Sequence, residues 1–150
     1  MSLCYDGQSS ILCSADSSSR IMVHKLIRKR TEWIAATKLL DHRTGIAVEQ
    51  LLTNEGCTRL LISSAATDIL WSIEAGESKP LSTVAWNNRR RYRWSIHPAE
   101  KSQLLLVTDN VAHLYDWQSL TRLTPEQGIH MLGSVLPELA VRSIVPCFDG

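Results

Sequence analysis

The chain has 150 residues, 44% of them apolar and 21% charged, the balance of an ordinary globular sequence. Its 16 basic and 15 acidic side chains leave a net charge of +1, so no global field draws it to nucleic acid or to a membrane surface. No apolar run approaches the ~20 residues of a membrane-spanning helix, and the start, MSLCYDGQSS, lacks the basic and apolar regions of a secretory signal.

Taken in chain order, the first element is a turn at Asp6-Gly7, followed by a short apolar strand at residues 11–13 and a second strand, IMVHKL, at 21–26. Arg28, Lys29 and Arg30 follow in a loop and read as a solvated turn. EWIAATKLL, with Trp33, is an outer strand or an exposed loop. An exposed tryptophan there would be a protein-binding anchor, although large rings are more often buried.

The pattern then starts again. A turn at Asn54-Glu55-Gly56 precedes an apolar strand at 60–62 and a second strand, ILWSI, at 69–73. A third round has a turn around residues 99–101, a strand at 104–107 and the strand HLYDW at 113–117. Aligning His24, Trp71 and Tyr115 gives steps of 47 and 44 residues, and CYDG at residues 4–7 returns as CFDG at 147–150. A period in the forties with several short strands per unit is the mark of a β-propeller array, favoured over a general β-sandwich because the register holds three times.

Three units expose two apolar blade faces, and closed propellers have about 4–8 blades. The remaining blades are therefore expected in the same, longer chain. The expected fold is all-β, a partial propeller of about three blades at 1–38, 39–86 and 87–135, the next unit starting at 136–150. A short helical or irregular insertion is expected near 124–137. There Thr124 and Pro125 suit an N-cap and first helical position, with Gln127 beyond. Leu136-Pro137 marks a turn before a strand near 141–145. Trp71, Trp86, Trp94 and Trp117 read as packing between blades.

The middle unit resembles a WD-repeat. Asp41-His42 stands where that family has Gly-His, Asn54-Glu55-Gly56 at its hairpin turn, and Trp71-Ser72 at its Trp-Asp dipeptide. In the third unit Tyr115-Asp116 takes the dipeptide position, with Asp109 in the preceding turn. The resemblance implies structural roles for His42, Ser63, Trp71, Asp109, Tyr115 and Asp116, and a scaffold that binds a protein or peptide partner in the cytoplasm without being an enzyme. No unit has a true Gly-His or Trp-Asp pair, and Asp68 lies only three residues before Trp71. The phrases NEGCTRLLISSAATDILWSI and LPELAVRSIVPCFDG are similar to the C-terminal propeller of fungal NACHT-type, NLR-like (STAND) receptors, which implies the sensor end of a larger protein.

Local chemistry is sparse. Cys4, Cys13, Cys57 and Cys147 have no C-x-x-C spacing, so a zinc site is not expected and the thiols are taken as reduced. No cofactor motif occurs. His42, Ser63 and Asp68 lack a G-x-S-x-G elbow and do not form an expected triad. In NNRRRYRWSIHP, Tyr92, Trp94 and Ile96 alternate with Arg91, Arg93 and Ser95. With Arg89 and Arg90, this arginine face is the alternative function, a site for a phosphate-bearing or other anionic ligand. The competing reading pairs the arginines with acidic neighbours. Nucleic acid is not the expected partner, because no wider basic stripe exists.

Overall fold

A computed structural model describes residues 2–7, 9–40, 45–74, 79–85, 92–97, 99–108 and 111–130. Across the described residues the chain is all-β, with three four-stranded antiparallel sheets whose strands follow one another in sequence order. Sheet 1 holds β1 (Ser2–Asp6), β2 (Ile11–Ala15), β3 (Ile21–Lys29) and β4 (Glu32–Leu40). Sheet 2 holds β5 (Val48–Thr53), β6 (Arg59–Ser64), β7 (Thr67–Ser72) and β8 (Lys79–Ala85). Sheet 3 holds β9 (Tyr92–Ile96), β10 (Gln103–Thr108), β11 (Val111–Asp116) and β12 (Ile129–His130). The chain divides into two compact units, Met1–Trp86 with sheets 1 and 2 and Asn87–Gly150 with sheet 3.

Short polar side chains close the turns by accepting backbone N–H groups, as Asp and Asn do where the chain reverses. Asp6 Oδ2 accepts from the Ser9 backbone at 2.8 Å. Asp16 Oδ1 accepts from Ser18 and Arg20, at 2.8 and 3.0 Å. Asn54 Oδ1 accepts from Thr58 at 2.9 Å and Arg59 at 2.7 Å, and Asp116 Oδ2 from Gln118 and Ser119 at 3.0 and 2.8 Å. The backbone hydrogen bonds to Asp16 hold its carboxyl below the usual carboxylate range.

One backbone hydrogen bond recurs in all three sheets. The residue before the second strand accepts from the residue at or beyond the third: Leu26 N–H to Ser10 O at 2.9 Å, Ile73 to Thr58 at 3.0 Å, and Trp117 to Ser102 at 2.9 Å. Counting from this bond along the second and third strands matches positions between the sheets. Leu12, Leu60 and Leu104 become equivalent, as do His24, Trp71 and Tyr115. The three sheets share one strand order and this one hydrogen bond.

In the first compact unit the core is formed by Cys13, Ala15, Ile21 and Leu40 of sheet 1 with Cys57, Leu51, Leu60, Ile62 and Trp71 of sheet 2. The side-chain period of two assigns the faces. Leu60 and Ile62 face sheet 1, while Leu61 and Leu70, also buried, occupy the opposite face with Ser63, Asp68 and Ser72. Sheet 2 is therefore buried on both faces. In the second unit Trp94, Leu104, Leu106 and Tyr115 share one face of sheet 3. The Trp94 and Tyr115 rings meet edge to face, centroids 4.9 Å apart at 71°.

No helix occurs among the described residues, and the expected helical turn after Thr124 is replaced by a β-turn and strand β12. The Thr124 hydroxyl does not cap a helix. It bonds His113 Nδ1 at 3.1 Å on β11. Gly128, at φ +67°, donates its N–H to Pro125 O at 2.9 Å and leads into the pairing of β12 with β11. Residues 131–137 and the strand expected at 141–145 lie outside the described residues. Arg28 and Lys29 end β3 and only Arg30 enters the two-residue turn to β4, so the basic triplet belongs mainly to a strand.

Candidate functional site

The face of sheet 1 turned away from sheet 2 is open. Strand register places Leu3, Ser14, Met22 and Leu39 in one row across it and Tyr5, Leu12, His24 and Thr37 in the next. Trp33 lies further along β4, opposite Arg28. Leu3, Tyr5, Trp33 and Leu39 are 54%, 56%, 62% and 59% exposed, against 0–2% for the leucines on the covered side of sheet 2. Trp33 thus lies on a strand, and it is exposed.

The middle of this face is polar and internally satisfied. His24 Nε2 lies 3.0 Å from Ser14 Oγ, and its Nδ1 lies 2.9 Å from Thr37 Oγ1. One imidazole therefore ties β2, β3 and β4 together. The Ser-His geometry does not make a nucleophilic centre. Ser14 lies mid-strand in β2, paired on both edges, rather than on an exposed elbow with free backbone donors for an oxyanion.

The equivalences between sheets give this face its meaning. Leu3, Leu12, Ser14 and His24 correspond in register to Leu51, Leu60, Ile62 and Trp71, the side chains of sheet 2 that sheet 1 covers. Sheet 1 presents outward the face that sheet 2 buries. Ser14 and His24 replace Ile62 and Trp71 on it.

Of the site residues expected from the sequence, the structure describes Ser63, Trp71, Arg93, Tyr115 and Asp116. Ser63 is buried on β6 opposite Asp68, on the face away from Trp71. Ser63 and Trp71 are therefore not brought together. Trp71 belongs to the core with sheet 1. Tyr115 is buried against Trp94, and Asp116 caps the turn that follows β11. His42, Asp109, Trp86, Arg89, Arg90 and Arg91 lie outside the described residues. Arg93 is half-buried on β9 opposite Val107. Trp94 and Ser95 are both buried, so the β9 alternation does not separate a packed face from a solvent face. The open face was not legible as a site because its alternation matches that of a covered strand. Trp33 was its one sequence signal.

Among the described residues no group of three or more His, Cys, Asp or Glu side chains is placed to hold a metal ion, and no helix is long and apolar enough to cross a membrane. No family model matches the chain, and no curated protein is significantly similar to it in sequence.

Proposed function

We propose that the chain is a non-enzymatic protein-interaction module, a WD-repeat-like scaffold in which each four-stranded sheet is one blade of a partial β-propeller. One observation carries this reading: the open face of sheet 1 is the structural equivalent of the face that sheet 2 buries against sheet 1. A stack with that polarity continues in one direction, as in repeat arrays. The occupant of the open face is another sheet of the same repeat, supplied by further blades of a longer cytoplasmic chain. A protein or peptide partner then engages the loops at the blade ends. The resemblance to fungal NACHT-type receptors makes this the sensor part of a larger protein.

An antibody raised against residues 1–150 tests the reading in the source cells. A band far above 16.8 kDa supports an array continued in a longer chain. A band at 16.8 kDa overturns the receptor assignment.

A further inference from the structure

Three thiols meet inside the first compact unit. Cys13, fully buried on β2, lies in one core cluster with Cys57, and Cys4 packs against that cluster. Cys4 is its directly opposed partner across β1 and β2. Cys57 comes from the β5–β6 turn of sheet 2, where its backbone sits at φ +52°. All three are free.

Register decides which pair lies nearest to a bridge. Directly opposed residues of an antiparallel pair have Cα atoms about 4.5 or 5.5 Å apart, depending on the type of pair. Both values fall inside the ~4.4–6.8 Å that a disulfide spans. The Cα atoms of Cys4 and Cys13 therefore already stand within disulfide range, and a small closing of the hairpin at the edge strand β1 brings their Cβ atoms to the ~3.5–4.5 Å that a bridge takes. Access differs as well: Cys4 is half-buried, while Cys13 and Cys57 are 0% and 2% exposed. An oxidant arriving from solvent meets Cys4 first. Hydrogen bonding to Cys4, with burial, pushes the Cys13 thiol up to about 12. Hydrogen bonding to Cys13 and burial push Cys57 up as well. Neither buried sulfur is therefore the first to react with an oxidant from solvent.

We propose that Cys4 is a peroxide-reactive site and that Cys13 resolves its oxidised form as a reversible Cys4–Cys13 disulfide. The Cys4 thiolate attacks one oxygen of hydrogen peroxide. An S–O bond forms, the O–O bond breaks, and the departing hydroxide takes a proton to become water, leaving a sulfenic acid. The Cys13 sulfur then loses its proton and attacks the Cys4 sulfur. The S–S bond forms, the S–O bond breaks, and the second hydroxide leaves as water with that proton. Two thiols are oxidised by two electrons in all, and one peroxide is reduced. A dithiol reverses the step by exchange. The bridge closes within one hairpin and does not cross-link the sheets. Its effect on the core is to take Cys13 away from Cys57, at the contact between sheets 1 and 2.

Trypsin separates the outcomes, because Cys4 and Cys13 share the peptide 1–20 whereas Cys57 lies in 44–59. The full chain, carrying Cys147→Ser, is treated with hydrogen peroxide while folded, alkylated and digested. The expected result is peptide 1–20 short by two hydrogens and peptide 44–59 fully alkylated, both reversed by dithiothreitol. Cys13→Ser should leave Cys4 as a sulfenic acid that dimedone captures. Cys4→Ser, a change at the most accessible of the three, should leave Cys13 and Cys57 unoxidised. A cross-link between peptides 1–20 and 44–59, first oxidation at Cys57, or reaction only after denaturation would overturn the proposal.

Discussion

Truncating Leu60 to alanine tests whether sheets 1 and 2 share a packed core. Leu60 is 0% exposed and lies among Cys13, Ile21, Leu51 and Trp71. The change removes three carbons, worth about 2.4 kcal/mol of transfer free energy at ~0.8 kcal/mol per methylene. A residual cavity of roughly 60 Å³ adds about 1.4 kcal/mol at ~24 cal/mol per Å³, for a loss of about 3–4 kcal/mol. Leu39→Ala is the control. That side chain is 59% exposed on the open face, so the same three carbons forfeit only about 1 kcal/mol and leave no cavity. Urea unfolding followed by tryptophan fluorescence, at the lowest usable protein concentration, reads both. With an m-value of about 2 kcal/mol/M, Leu60→Ala lowers the midpoint by about 1.5–2 M and Leu39→Ala by about 0.5 M. Equal shifts for the two variants would refute the assignment of a covered and an open face.

Further tests address the turns and the third sheet. Asn54→Ala removes the acceptor of two backbone N–H groups and should cost about 1–2 kcal/mol, whereas Asn54→Asp keeps the acceptor and should recover most of that. Gly128→Ala should loosen the β11–β12 pairing, seen as faster amide exchange. A Cβ there would stand 2.9 Å from Ala112 O at φ +67°, and the left-handed backbone alone costs about 1–2 kcal/mol for a non-glycine residue. His113, with its pKa lowered by burial and then by Arg122, gives a pH dependence of defined sign. Its stabilising contribution is present above the unfolded histidine value of about 6.5. As pH falls the unfolded chain takes up the proton first, so stability drops through the window between that value and the lower folded one. Unfolding midpoints from pH 8 to pH 5, compared with His113→Gln, read this directly.

The turns and the strands they join were legible in the sequence because their chemistry is local. Asp6 and Asn54 accept the N–H groups of residues only three to five positions away. The equivalence of His24, Trp71 and Tyr115 was also legible, since one strand period repeats three times. What depends on distant partners was not. Thr124-Pro125 reads as a helix start until His113, eleven residues away, takes the threonine hydroxyl. The His24 link to Ser14 and Thr37 depends on register across three strands, which spacing alone does not reveal. The meeting of Cys57 with Cys13 depends on how two sheets pack. The apolar alternation of β1 and β4 is the same whether a neighbouring sheet covers it or solvent does, so exposure of Leu3, Tyr5 and Leu39 had no signature of its own.

On the proposed reading, the open face of sheet 1 accepts another sheet. In the isolated chain the available occupant is a second copy, so the decisive measurement is sedimentation velocity of the 150-residue chain across a range of concentrations. Concentration-dependent self-association is expected, abolished by Trp33→Asp with Leu39→Asp, while both proteins keep the same circular dichroism. A chain that stays monomeric at every concentration, or association untouched by the double substitution, would contradict it.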